Sequence, residues 1–173
     1  MIEFKEHTIS GYKARTIENA KADLTIAIAT DFGTAGERCT FNAVKMQRKM
    51  YSGIPYNSEL ESSLISTISI IGKNRDYTLN VAGNGIYTLK REQKSVDAYI
   101  DMLLGIIFTM SSTPTLIRSG GQTGVDEAAL KAAVRMKIPA LCLAPKGWVF
   151  RDINGNDIAD EQQFKARFFY DKA

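Results

Sequence analysis

Histidine and cysteine are nearly absent from this chain of 173 residues: His7 stands alone, and Cys39 and Cys142 are the only thiols. A structural zinc site needs about four suitably spaced ligands, and none can be assembled from this inventory. Two cysteines so far apart in sequence do not form a disulfide framework, which points to a reducing compartment and a cytoplasmic protein. Acid–base chemistry, if present, falls to carboxylates. Long apolar runs are missing too. The longest, Met102 to Met110, is too short to cross a bilayer, and the opening MIEFKEHTIS lacks the basic-then-apolar order of a secretory signal. No membrane association is expected. A strong charge bias is also lacking, because the net charge is +3 and the basic residues are dispersed. Nucleic acid is therefore not indicated as a partner, whereas a small phosphate-bearing ligand is compatible. No repeat or low-complexity tract appears, no motif names a cofactor, and self-association is left open.

A chain of this length and ordinary composition is expected to form one domain over residues 1–173. Ala22 to Thr30 is apolar and β-rich, and reads as a buried strand. It is followed by the loop DFGTAGERCT and a helix through Met50, with Thr34 or Thr40 as its cap. A further helix is expected within residues 57–72, where Ile65 to Ile71 also reads as a strand. In YTLNVAGNGIYTL a strand breaks at Gly83-Asn84-Gly85. Asn-Gly between apolar runs predicts a hairpin, with a ligand-facing loop as the alternative. Val96, Tyr99, Ile100, Leu103, Leu104, Ile107 and Phe108 recur at helical spacing, and Met102, Ile106 and Met110 widen that face into a buried helix. A strand at Thr115–Arg118, a helix from Val125 to Met136 and the strand in IPALCLAP form a βαβ unit with parallel strands. The remainder predicts a hairpin around Asn154-Gly155 and a terminal helix. The fold class is α/β, with a mostly parallel sheet and helices on both faces.

Within the βαβ unit lies SGGQTGVD, Ser119 to Asp126. A glycine-rich strand-to-helix loop exposes N–H groups and the positive end of a helix dipole, which suits an anion. Gly120, Gly121 and Gly124 remove side chains that would hold a ligand away from the backbone, while Gln122 and Thr123 add hydrogen-bonding groups. A structural reading competes: Thr123-Gly-Val-Asp126 has the form of a capping box. Asp126 beside a nucleotide would meet a ribose hydroxyl or water rather than a phosphate. The loop is neither a dinucleotide fingerprint nor a P-loop, because the spacing G-x-G-x-x-G and a following Gly-Lys-Ser/Thr are both missing.

The stretch SGGQTGVDEAALKAAVRMKIPALCLAPKGW, Ser119 to Trp148, resembles the SGGQTGVDRAAL…GIP…CPKG segment of YpsA-like and putative molybdenum-cofactor carrier proteins. These belong to the SLOG superfamily, which includes DprA and the cytokinin-activating LOG phosphoribohydrolases. The resemblance implies a Rossmann-like three-layer fold with nucleotides or their derivatives bound at the glycine loop. It places Gly120, Gly121, Gln122, Thr123, Gly124 and Asp126 around a pocket, with Lys146 as a cationic wall and Trp148 over a base or the sheet edge. In the carrier-like proteins this segment lies near the start of the chain and here near the end, so the carrier label does not transfer. LOG enzymes use a glutamate in a related loop to cleave an N-glycosidic bond. By that likeness Asp126 is a candidate catalytic acid. Glu37 and Arg38, after the small residues Thr34 and Gly36, are the best candidates to converge on it; an exposed ion pair is the plainer explanation of adjacent Glu and Arg. The pattern is also similar to uncharacterised bacteriophage proteins.

Three functions follow: binding of a nucleotide-derived ligand at residues 119–126 with hydrolysis of an N-glycosidic or phosphoribosyl bond, capture of a nucleotide signal without catalysis in phage counter-defence, or a protein-interaction module without an active pocket.

Overall fold

The computed structural model describes residues 1–56, 76–91, 96–109 and 113–169. The helix expected within residues 57–72 lies outside the described residues, as does Met110. In chain order the elements are β1 (Ile2–Glu6), α1 (Lys13–Asn19), β2 (Leu24–Ala29), α2 (Ala35–Met46), β3 (Met50–Pro55), β4 (Thr78–Gly83), α3 (Ile86–Arg91), α4 (Val96–Thr109), β5 (Leu116–Ser119), α5 (Val125–Arg135), β6 (Ala140–Ala144), β7 (Val149–Arg151), β8 (Asp157–Ala159) and α6 (Glu161–Ala166).

Six strands form one parallel sheet in the order β1-β6-β5-β4-β2-β3, and β7 and β8 form a separate antiparallel hairpin. This is the expected α/β, Rossmann-like architecture. The chain steps from β2 outward to β3 in one direction, and from β4 through β5 to β6 in the other. Right-handed crossovers running in opposite directions put their helices on opposite faces. Accordingly α1 packs on α2, and α4 packs on α5. All six residues of β2, Leu-Thr-Ile-Ala-Ile-Ala, are buried, as a strand covered on both faces requires. Ile100 and Leu103 of α4 are fully buried against this core, with Met102 and Leu104 partly so.

At the amino end of the sheet, Asp23 joins three strands. Its carboxylate accepts from Thr78 N at 3.0 Å, Thr78 Oγ1 at 2.9 Å and Lys49 Nζ at 2.9 Å.

Several local expectations are corrected. The helix after Thr34 stops at Met46, and Met50 already begins the edge strand β3, paired with β2 from Leu24↔Met50. Thr34 is the cap, accepting from Glu37 N at 3.2 Å, while the Thr40 hydroxyl donates to Gly36 O inside the helix. No hairpin forms at Gly83-Asn84-Gly85: β4 runs through this turn into α3. The local Asn-Gly preference yields to tertiary bonds. Asn84 N donates to Ile28 O at 3.2 Å, and Val125 N donates to Asn84 O at 3.3 Å, so the turn is held between β2 and α5.

Candidate active site

The strand order reverses between β2 and β4, and in parallel sheets ligands bind beyond the carboxyl ends of strands at such a switch point. A cavity of about 330 Å³ opens there. Its walls come from α1 (Tyr12, Arg15, Asn19), the start of α2 (Gly36, Glu37), β4 and its turn (Asn80, Asn84), and the glycine loop with α5 (Gly120, Asp126). That volume lies within the range of small-ligand sites.

Much of the glycine loop faces its own protein. A Cβ on Gly121, at φ +71°, would lie 2.6 Å from Cys142 Sγ and 2.7 Å from Phe164 Cζ. On Gly124, at φ +127°, it would lie 2.5 Å from Asn84 O. Gly85 and Gly124 pair as an isolated bridge, which brings the β4–α3 turn against the glycine loop. Only Gly120 serves the cavity directly, since a Cβ there would meet Asp126 Oδ2 at 2.5 Å. The close approach that the glycines permit is therefore largely that of one segment of the chain to another.

The polar groups of the loop are also engaged. Arg15 and the backbone N–H groups of Gln122 and Gly120 favour the charged form of the Asp126 carboxyl. Glu127 N donates to Gln122 O at 3.0 Å. The expected capping box is absent: Gly124 is the N-cap and makes no side-chain bond. The Thr123 hydroxyl instead donates to Arg151 O and accepts from Arg167 Nη1 at 3.1 Å. Arg167 binds Gly121 O at 2.7 Å and Glu127 Oε2 at 2.9 Å, and its guanidinium carbon lies 4.0 Å from the centroid of the Phe150 ring. The loop is locked from behind by one cation and an aromatic nest.

Two carboxyl groups share the cavity wall. Glu37 is 4% exposed; Asn84 Nδ2 donates to its Oε1 at 3.4 Å, while its Oε2 is buried without a hydrogen-bond partner. Burial, reinforced by Asp126 and Asp31, pushes its carboxyl up to about 7. Burial also raises Asp126 to about 6, against the opposing pull of Arg15 and the loop N–H groups. Arg15, itself buried, donates to Gly120 O at 2.9 Å and supplies the positive charge beside Asp126.

The structure thus brings Gly36, Glu37, Gly120, Gln122, Thr123 and Asp126 to one cavity. Thr34 lies behind this wall as the cap, and Arg38 borders a second, aromatic cleft that also touches Glu37. Gly121 and Gly124 are packed inside the protein, and Lys146 is exposed on a turn outside the cavity lining. Trp148 packs edge-on to Phe164, 5.6 Å between centroids, and covers the sheet rather than the cavity. Arg15 and Asn19 line the cavity without having been expected there, whereas Asn84 lines it as the alternative reading of its turn, a ligand-facing loop, allowed.

Residues 117–158, from β5 into β8, match the circularly permutated YpsA SLOG family. The match supports a YpsA-like SLOG assignment. No curated protein and no solved structure matches the chain. The permuted order of that family is consistent with a glycine loop that lies late in this sequence. Because β1 pairs with β6 in parallel, the sheet continues from β5 and β6 into the first strand of the chain. Among the described residues no helix is long and apolar enough to cross a membrane, and no group of three or more metal-ligating side chains occurs.

Proposed function

We propose that the cavity binds the ribose portion of a nucleotide-derived ligand between Glu37 and Asp126 and hydrolyses its N-glycosidic bond. The observation that carries this reading is Glu37 Oε2, buried without a partner in the wall of a switch-point cavity. A buried carboxyl oxygen left unbonded is costly in a merely structural role, and a carboxyl raised to about 7 is suited to proton transfer at neutral pH. SLOG membership is compatible with a nucleotide-related ligand.

The two raised carboxyls divide the work. Asp126, at about 6, is mostly ionised at neutral pH and takes a proton from water as the water oxygen bonds to the anomeric carbon. Glu37, at about 7, is substantially protonated and gives its proton to the departing base nitrogen as the glycosidic bond breaks. Arg15 keeps Asp126 charged. The N–H groups of Gly120 and Gln122 favour the charged form of Asp126, so the loop supports the base instead of cradling a phosphate.

Calorimetry against a panel of mononucleotides, ADP-ribose and cyclic nucleotides tests binding, and chromatography of the recovered ligand tests cleavage. Binding with release of free base, lost about a hundredfold or more in Glu37→Gln, is the expected outcome. Binding with the ligand returned intact after long incubation would make the protein a nucleotide-capturing one. No binding across the panel would sink both.

A further inference from the structure

Tyr87, in the first turn of α3, is 59% exposed and stands on the wall of the same cavity. An exposed tyrosine alone is ordinary. This one is held in place. The guanidinium carbon of Arg151 lies 4.6 Å from its ring centroid. Arg151 in turn pairs with Asp157: its Nη2 donates to Oδ2 at 3.0 Å, and its Nε lies 2.8 Å from Oδ1. The turn of the β7–β8 hairpin backs the ring, since a Cβ on Gly155 would lie 3.7 Å from Tyr87 Cε1. The hairpin is tied to the glycine loop through the Thr123 hydroxyl on Arg151 O. Tyr12, 51% exposed, lines the cavity from the start of α1.

We infer that the Arg151-backed ring of Tyr87 is a stacking platform for the aromatic base of the ligand. This rests on the nucleotide reading and adds the part of the ligand that is recognised. A rigid aromatic face at the mouth of a polar cavity contributes to binding any planar base, whatever its hydrogen-bonding edge. The cation beneath the ring reduces the mobility of the platform without needing a contact of its own to the ligand. A rival place for the base is the cleft of about 430 Å³ around Phe32, Phe41 and Tyr51. There Phe41 and Tyr51 already pack edge-to-face at 5.2 Å, and the cleft touches Glu37 without reaching Asp126.

The test is calorimetry of AMP and ribose 5-phosphate, which differ by the base, on the wild type, Tyr87→Ala, Tyr87→Phe and Phe41→Ala, with circular dichroism to confirm folding. AMP should bind more tightly than ribose 5-phosphate to the wild type. Tyr87→Ala should weaken AMP about ten- to a hundredfold and leave ribose 5-phosphate unchanged, and Tyr87→Phe should retain AMP affinity. A loss of AMP affinity in Phe41→Ala but not Tyr87→Ala places the base in the other cleft and overturns the platform. So does wild-type protein that binds nucleotides of the panel yet binds AMP no better than ribose 5-phosphate. Wild-type protein that binds no nucleotide overturns the underlying function as well.

Discussion

The two ends of the main sheet treat their acids in opposite ways. At the amino end Asp23 is fully partnered, and the Lys49 ammonium and the Thr78 N–H hold its carboxyl down at about 2. At the carboxyl end Glu37 keeps one buried oxygen unbonded and is pushed up to about 7. Asp23 immediately precedes β2, and Glu37 lies in the first turn of α2, the helix that follows it. A carboxylate given every partner ties strands together. One deprived of partners is held ready to exchange a proton.

The largest effect should come from the backbone that brings the carboxyl end together. At Gly83 a Cβ would collide with Ile28 O and lie 2.8 Å from Val125 Cγ2, so Gly83→Ala should cost about 4 kcal/mol or more. Urea unfolding would show this, and a near-native midpoint would mean that the two loops are not locked together. Arg167→Met removes the cation bound to Gly121 O, Thr123 and Glu127, and should cost about 3 kcal/mol in the same assay. An unchanged midpoint would show that the aromatic nest alone holds the loop.

The next two predictions have opposite signs and set the acids directly against each other. Because the folded pKa of Glu37 is raised, the folded state binds more protons than the unfolded state between about pH 4.5 and 7, and stability falls as pH rises through that window. Glu37→Gln should remove its share of this fall, leaving that of Asp126 at lower pH, and gain on the order of 2 kcal/mol at pH 8. Thermal midpoints recorded from pH 4 to 8 would check it, and a loss of stability at pH 8 would assign Glu37 a structural role. Asp23 is depressed, so its contribution is present above about pH 4 and lost as pH falls towards 2. With Asp23 44% and Lys49 36% exposed, solvent screens the pair, and Asp23→Asn should cost only about 1 kcal/mol at pH 7. A cost exceeding that of Arg167→Met would invert the contrast between the two ends.

Legibility in the sequence followed the same division. β2, α4 and the βαβ unit around Ser119 could be read because their apolar periodicity reports burial directly, as in the six consecutive buried residues of β2. The edge strands β1 and β3 could not, since each shows a solvent-facing mixture of polar and apolar residues. Arg15 carried no signal: it sits on a seven-residue helix, and only folding brings it to Gly120, 105 positions away. At Asn84 the hairpin reading failed and the ligand-facing alternative fits, because Asn-Gly is a local turn signal, whereas here the Asn84 side chain accepts from Thr30 N at 2.7 Å and donates to Glu37.

By itself the sequence determined the fold class, the parallel βαβ unit and the presence of a glycine-rich loop before α5, because these depend on patterns a few residues long. The tertiary structure alone decided what the glycines admit, which acids face each other and how strongly each holds its proton. Those properties depend on distance and dielectric between residues far apart in the chain. The glycine loop was legible as a place of close approach. What lies close against Gly120 proved to be the carboxyl of Asp126.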